Sequence, residues 1–203
     1  FTYELFLDEN GQKISKTSGN GVSIDDWLTY ASSESLSYFM YQKPKTAKRM
    51  HFDVIPKAMD EYHQQLKAYV GQDDKARLHN PVFHIHGLNV ATSDMVVSFS
   101  MLLNLAAVAN AEEKEQLWGF IKRYAPDADP KTHRDLDQAV TFAIRYYEEF
   151  VKPQKIYRSP THLEREALLD LRNQFSAYEG PQDAEALQTI VFACGRERFD
   201  PLR

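Results

Sequence analysis

Lys13 and Lys16 stand three residues apart in the stretch QKISKTSGNG, residues 12–21, among the hydroxyls of Ser15, Thr17 and Ser18 and ahead of Gly19, Asn20 and Gly21. A phosphate cradle needs cations, hydroxyl donors and backbone amides that glycine frees to point at the ligand. This stretch supplies all three. It is not a G-x-x-x-x-G-K-[ST] loop, and no G-x-G-x-x-G occurs in the chain. Two lysines beside a hairpin also read as solvated surface, and Gly-Asn-Gly as a plain turn. The residues alone leave both readings open.

A second basic run, KPKTAKR, carries Lys43, Lys45, Lys48 and Arg49 with no acid among them. Its alternatives are a solvated face and contact with nucleic-acid phosphates, which supply sequence-independent affinity. Further along, Arg123 lies close to Trp118, Phe120 and Tyr124, and Arg145 adjoins Tyr146 and Tyr147. Arginine and aromatic side chains are the groups that read unstacked RNA bases. Most of these aromatics are expected in the core, with Arg123 and Arg145 left for exposed contacts. His84 and His86 would share a face of an extended segment, which suits a metal pair. No nearby Cys, Asp or Glu completes a set, so packing is expected there and no metal site.

Composition bounds these readings. Of 203 residues, 43% are hydrophobic and 26% charged, an ordinary balance for a chain with a packed core. The net charge of −5 excludes a protein coated with phosphate-binding lysines but allows a local basic face, since acids gather elsewhere, in NAEEKE and DLD. Cys194 is the one cysteine, so no intrachain disulfide forms, which fits a reducing, cytoplasmic setting. No apolar run approaches the roughly 20 residues of a membrane span. The chain opens inside what reads as a strand, without Met, so further N-terminal sequence is expected.

The positioning elements follow from local signals. Residues 1–14 read as a hairpin: FTYELFL alternates, Asn10-Gly11 supplies the turn, and KIS starts the return. Ser23 with Asp26 forms a capping-box pattern, so the basic loop runs into a helix whose N-terminus would add partial positive charge. Helices are expected over ESLSYFMYQ, over DVIPKAMDEYHQQLKAYV with Pro56 in the first turn, and over residues 93–110 capped by Ser93. AEEKEQLWGFIKRYA is amphipathic. After it, Asp129 and Pro130 would open a helix with the stripe Leu136, Val140, Ile144, Tyr147 and Val151. Two more helices carry Leu163, Ala167, Leu171 and Phe175, and then Cys194 as buried filler. The fold class is mainly α, with a short N-terminal β-hairpin ahead of a helical bundle. The expected organisation is 1–70, an irregular linker at 71–92, and a helical domain at 93–203.

KISKT, after a strand and before SGNG, resembles the KMSKS motif of class I aminoacyl-tRNA synthetases, with Ile14 in place of Met and Thr17 in place of the last Ser. Ile keeps an apolar anchor and Thr a hydroxyl. The surrounding stretch from Tyr3 to Gln64, together with LWGFIKRYAP and AIRYYEEFVKP, resembles the class I type of lysyl-tRNA synthetase, and the resemblance covers nearly the whole chain. It implies ATP, with Mg2+, as the ligand of the loop formed by Lys13, Ser15, Lys16, Thr17, Gly19 and Asn20. Lys16 would contact the phosphates in the transition state and Lys13 would assist. It also implies tRNA(Lys) as a partner, with Lys43, Lys45, Lys48, Arg49, Arg123 and Arg145 as candidate contacts. Residues 1–70 would then be the end of a catalytic region with its connecting helices, and the C-terminal helices an α-helix cage that reads the anticodon. The nucleotide-binding domain and lysine pocket would lie outside these residues, leaving the chain inactive alone. HIHG at 84–87 is not the family's HIGH motif: two residues are exchanged, and HIGH precedes the lysine loop in this class. A stand-alone helical RNA-binding module and a helical protein-interaction scaffold remain alternatives, and a glutamyl-type synthetase is a weaker one.

Overall fold

The structure is a computed structural model that describes residues 5–14, 21–181 and 183–195. It is mainly α. A short strand β1 (Phe6–Leu7) is followed by α1 (Ile24–Tyr30), α2 (Ser33–Tyr41), β2 (Lys48–Arg49), α3 (Ile55–Val70), α4 (Asp74–His79), α5 (Pro81–His86), α6 (Phe99–Ala109), α7 (Lys114–Tyr124), α8 (Arg134–Tyr146), α9 (His162–Ser176) and α10 (Ala184–Gly195).

The hairpin forms around Asp8. Its carboxylate accepts the N–H groups of Asn10 at 2.9 Å and Gln12 at 2.8 Å, Gly11 takes a left-handed φ of +76°, and Ile14 N–H returns to Phe6 O at 2.9 Å. The sequence did not reveal a third partner: β2 pairs in parallel with β1, Phe6 with Lys48 and Leu7 with Arg49. An isolated Lys-Arg pair carries no strand signal, and the pairing crosses about forty residues, so it is invisible to local pattern.

Helix α1 has the expected capping box, with Ser23 Oγ accepting Asp26 N–H at 3.1 Å and the Asp26 carboxylate accepting Ser23 N–H at 2.9 Å. The Ser23 hydroxyl, which donates to the Asp26 carboxylate at 2.7 Å, and then the Ser23 N–H hold that carboxyl below its usual range. Asp25 and Asp26 therefore offset the partial positive charge expected at this terminus. Trp27 is fully buried and donates its Nε1–H to Ser35 Oγ at 3.1 Å.

Two helix starts are fixed from afar. Asp60 on α3 caps α6, accepting Phe99 N–H at 2.5 Å and Ser100 N–H at 3.1 Å. Asp94 caps α8, accepting Asp135 N–H at 3.2 Å and Leu136 N–H at 3.0 Å. The helix expected from Ser93 accordingly begins at Phe99 with Ser98 as its own cap, while Ser93 turns its hydroxyl to His63 Nδ1 at 2.9 Å. The helix expected at Asp129 begins at Arg134, because the Asp129 carboxylate is used on Lys131 N–H in the preceding turn.

The stretch 71–92 is not irregular with an extended piece. Asp73 caps α4 through Ala76 N–H, and buried Asn80 caps α5 through Val82 N–H, with Pro81 in the first turn. The Asn, Asp and Pro that read as loop residues are helix-start residues. His84 and His86 are thus helical: His84 stacks on Tyr41, with ring centroids 5.3 Å apart, and His86 Nε2 meets Tyr62 OH at 2.9 Å.

The chain divides into two compact units, residues 1–155 and 156–203. In the first unit, α6 packs on α3 and α8, and α8 on α1 and α7. Leu136, Val140, Ile144 and Tyr147 form the buried stripe of α8 and its extension, beside Phe99, Leu102, Leu117 and Ile121. Tyr38, Tyr62, Leu66 and Val82 form a second cluster. Lys155 closes this unit, its Nζ donating to Ala107 O at the end of α6 and to Asn110 Oδ1. In the second unit, Thr161 and Glu164 form a capping box on α9, and Cys194 of α10 is buried with Sγ 3.2 Å from Ala167 O. Leu163 is 64% exposed, so the α9 stripe buries Ala167 more than its leucines.

Candidate functional site

The base of the lysine loop is described on both sides. Lys13 lies on the return strand of the hairpin, bridged to Leu7, with its side chain exposed. Ser15, Lys16, Thr17, Gly19 and Asn20 lie outside the described residues. The chain resumes at Gly21, whose Cβ position is 2.5 Å from Ile14 Cγ2 and 2.8 Å from Ile14 Cδ1. Ile14 itself packs against the main core. The residue that replaces Met in the lysine motif thus rests on the glycine that follows the loop.

Leu7 pairs with Lys13 on one side and with Arg49 on the other. Residues paired across adjacent strands share a face, and strands lie roughly 4.8 Å apart, so Lys13 and Arg49 project from one face with backbones roughly 10 Å apart. The two basic stretches, far apart in sequence, meet at this strand. Arg49 pairs with Asp53, and His51 lies 3.3 Å from Glu9 and 3.2 Å from Asp53. The Arg49 and Asp53 side chains are each about half exposed, and such a pair contributes roughly 0–1 kcal/mol, so the guanidinium can exchange its carboxylate for a phosphate at little cost.

The other candidate contacts separate. Lys43 and Lys45 are exposed, at φ 44° and 66°, on either side of Pro44. Left-handed φ is uncommon for a residue other than glycine. Lys48 is 8% exposed and its ammonium donates to Met40 O at the end of α2, which braces β2. Arg123 is exposed, with its guanidinium 5.3 Å from the Phe120 ring centroid. Arg145 is exposed on α8 and reaches Thr29 O at 3.4 Å. Trp118, Tyr146 and Tyr147 are buried, whereas Tyr124 is 60% exposed.

Sequence reading missed an interior polar site of about 160 Å³ lined by Glu34, Tyr62, His63, His86 and Asp135. Burial and the Lys67 charge push His63 down to about 4, against the opposing pull of Asp60, Asp94 and Glu34. Burial and the Asp94 charge raise the Asp135 carboxyl. The site is far smaller than the several hundred Å³ of a typical ligand pocket. Its residues come from four segments, and no spacing in the sequence links them. Among the described residues, no group of three His, Cys, Asp or Glu could hold a metal ion. No helix among them is long and apolar enough to cross a membrane.

Residues 1–89 match the family described as tRNA synthetases class I (K). Over all 203 residues the chain is 73% identical to a lysine–tRNA ligase of Roseobacter denitrificans, covering 38% of that protein. It is 48% identical over 195 residues to the lysine–tRNA ligase of Rickettsia conorii and 47% identical to that of Rickettsia felis, covering 37% of each. The chain therefore spans less than two fifths of the length of these curated relatives. No solved structure matches it. With the lysine motif in its sequence and 73% identity over its full length, the chain belongs to the class I lysyl-tRNA synthetases and corresponds to part of a lysine–tRNA ligase.

Proposed function

We propose that these residues supply the ATP-phosphate loop and much of the tRNA-binding surface of a ligase that activates lysine with ATP and transfers it to tRNA(Lys). The observation that carries this reading is the convergence of Lys13 and Arg49 on Leu7. It joins the lysine loop to the basic turn of Lys43 and Lys45, so that a nucleotide and the tRNA end that receives its lysyl group would meet neighbouring parts of one surface. In activation, the lysine carboxylate attacks the α-phosphorus, an acyl–phosphate bond forms, and the bond to pyrophosphate breaks. Negative charge grows on the departing pyrophosphate. Lys16, assisted by Lys13, neutralises it, and Ser15, Thr17 and the backbone at Gly19 and Asn20 shape the loop. A cation that acts mainly on developing charge accelerates the reaction rather than merely tightening binding. Mg2+ would arrive on the phosphates of ATP.

Residues 1–70 would close the catalytic region, and the helices beyond 93 would approach the anticodon, with Arg123 and Arg145 as contacts. The reading places the protein in the cytoplasm, where Cys194 stays reduced. The test is lysine-dependent ATP–pyrophosphate exchange in a complete ligase carrying these residues. Losing one transition-state donor costs about 2.7–4 kcal/mol in comparable sites, so Lys16→Ala should slow exchange by roughly 100-fold or more, and Lys13→Ala by less. Exchange unaffected by both changes would overturn the loop assignment. The 203 residues alone should show no exchange.

A further inference from the structure

Helix α7 has a glycine at its midpoint, Gly119. Glycine is unfavourable in a helix interior relative to alanine. Such a residue usually makes room for a neighbour, yet a Cβ at Gly119 would meet nothing within 4 Å. No packing partner among the described residues explains it. The open space is part of a groove of about 630 Å³ between α7 and the turn before α8, lined by Lys114, Trp118, Gly119, Lys122, Lys131 and Asp137.

The charges of this groove are arranged unevenly. Both oxygens of Asp137 are occupied from within, one by Lys114 Nζ at 2.5 Å and the other by Trp118 Nε1–H at 3.0 Å. That leaves Glu115 as the other carboxylate of the lining. The side chains of Lys122 and Lys131 have no hydrogen-bond or ion-pair partner among the described residues. The groove thus offers two uncommitted ammonium groups beside a stretch of helix backbone with no side chain over it.

We infer that this groove takes the sugar–phosphate backbone of RNA, with Gly119 as the point of closest approach and Lys122 and Lys131 on the phosphates. The inference rests on the tRNA-binding reading and adds to it a contact surface that neither basic stretch singled out in the sequence contains. Lysine meets phosphate as a point charge, and the cations that line the groove are lysines. A missing side chain at the floor lets a bulky backbone settle against the helix.

The test measures binding of labelled tRNA(Lys) transcript by fluorescence anisotropy at several salt concentrations, alongside thermal melting. Proteins compared are the wild type, Gly119→Leu, and the double variant Lys122→Gln/Lys131→Gln. Leucine favours helix and enters open space, so Gly119→Leu should melt no lower than the wild type while binding tRNA at least fivefold more weakly. The double variant should lower the slope of log affinity against log salt by about 1.4–1.8, the value for two phosphate contacts. Wild-type binding that both variants match would overturn the groove and leave the tRNA reading standing. Failure of the wild type to bind at any salt would remove the tRNA reading, and the groove with it. Displacement of the tRNA by polyglutamate as readily as by polyuridylate would overturn RNA in favour of an acidic polypeptide.

Discussion

Ile14 lies against Gly21, with Cγ2 only 2.5 Å from the position a Cβ would take there, so the two ends of the lysine loop are clamped by one side chain. Real Cβ contacts essentially never come that close. Gly21→Ala must therefore push Ile14 off its seat and alter how Lys13 and Lys16 are presented. In a complete ligase, Gly21→Ala should slow pyrophosphate exchange by about tenfold or more, equivalent to about 1.4 kcal/mol in the barrier. Its thermal midpoint should change little, because Ile14 is only partly buried. Gly11→Ala serves as the contrast, since its left-handed φ makes it costly to the turn while nothing crowds its Cβ.

The basic turn separates function from support. Lys43→Gln and Lys45→Gln should each reduce the salt slope of tRNA binding by about 0.7–0.9 and leave stability alone. Lys48→Gln should instead lower stability by about 1–3 kcal/mol, because it leaves Met40 O without its buried ammonium partner. Urea unfolding and tRNA titration of the three variants distinguish the two roles.

The remote caps have a measurable cost. Asp94→Ala removes the acceptor for Asp135 and Leu136 N–H at the start of α8. Losing an N-cap typically costs about 0.5–2 kcal/mol, and this one, partly buried and charged, belongs at the upper end. The urea midpoint should fall without a change in slope.

His63 sets an acid limit. It is 8% exposed and held down to about 4, so it is neutral in the fold, whereas in the unfolded chain it binds a proton near its ordinary value of 6.5. Between those values the unfolded state gains protons that the folded state refuses, and stability should fall by up to about 1.4 kcal/mol per pH unit as pH drops. Asp135, raised in the fold, acts in the opposite sense in the carboxylate range. Comparing unfolding at pH 7 and pH 5 for wild type and His63→Asn isolates the histidine: the variant should lose less.

What could be read in the sequence was local. Asn10-Gly11, the Ser23–Asp26 box and the α8 stripe each sit within a few residues of what they determine, and the structure has them. The misreadings came from long-range partners. Ser93 looked like a cap because the chain does not announce that Asp60 and Ser98 do that work while His63 claims its hydroxyl. Lys48 looked solvated because its burial depends on pairing with β1. The lysine motif itself was legible as a pattern of residue types, whereas its junction with Arg49 through Leu7 exists only in the folded chain.

The central claim is that these helices recognise a lysine tRNA. Filter binding of the 203-residue protein to tRNA(Lys) transcripts with native and altered anticodons, at two salt concentrations, tests it most directly. The account predicts salt-sensitive binding that weakens when the anticodon is changed. Absence of binding at both salt concentrations would contradict it and favour a helical scaffold for protein partners.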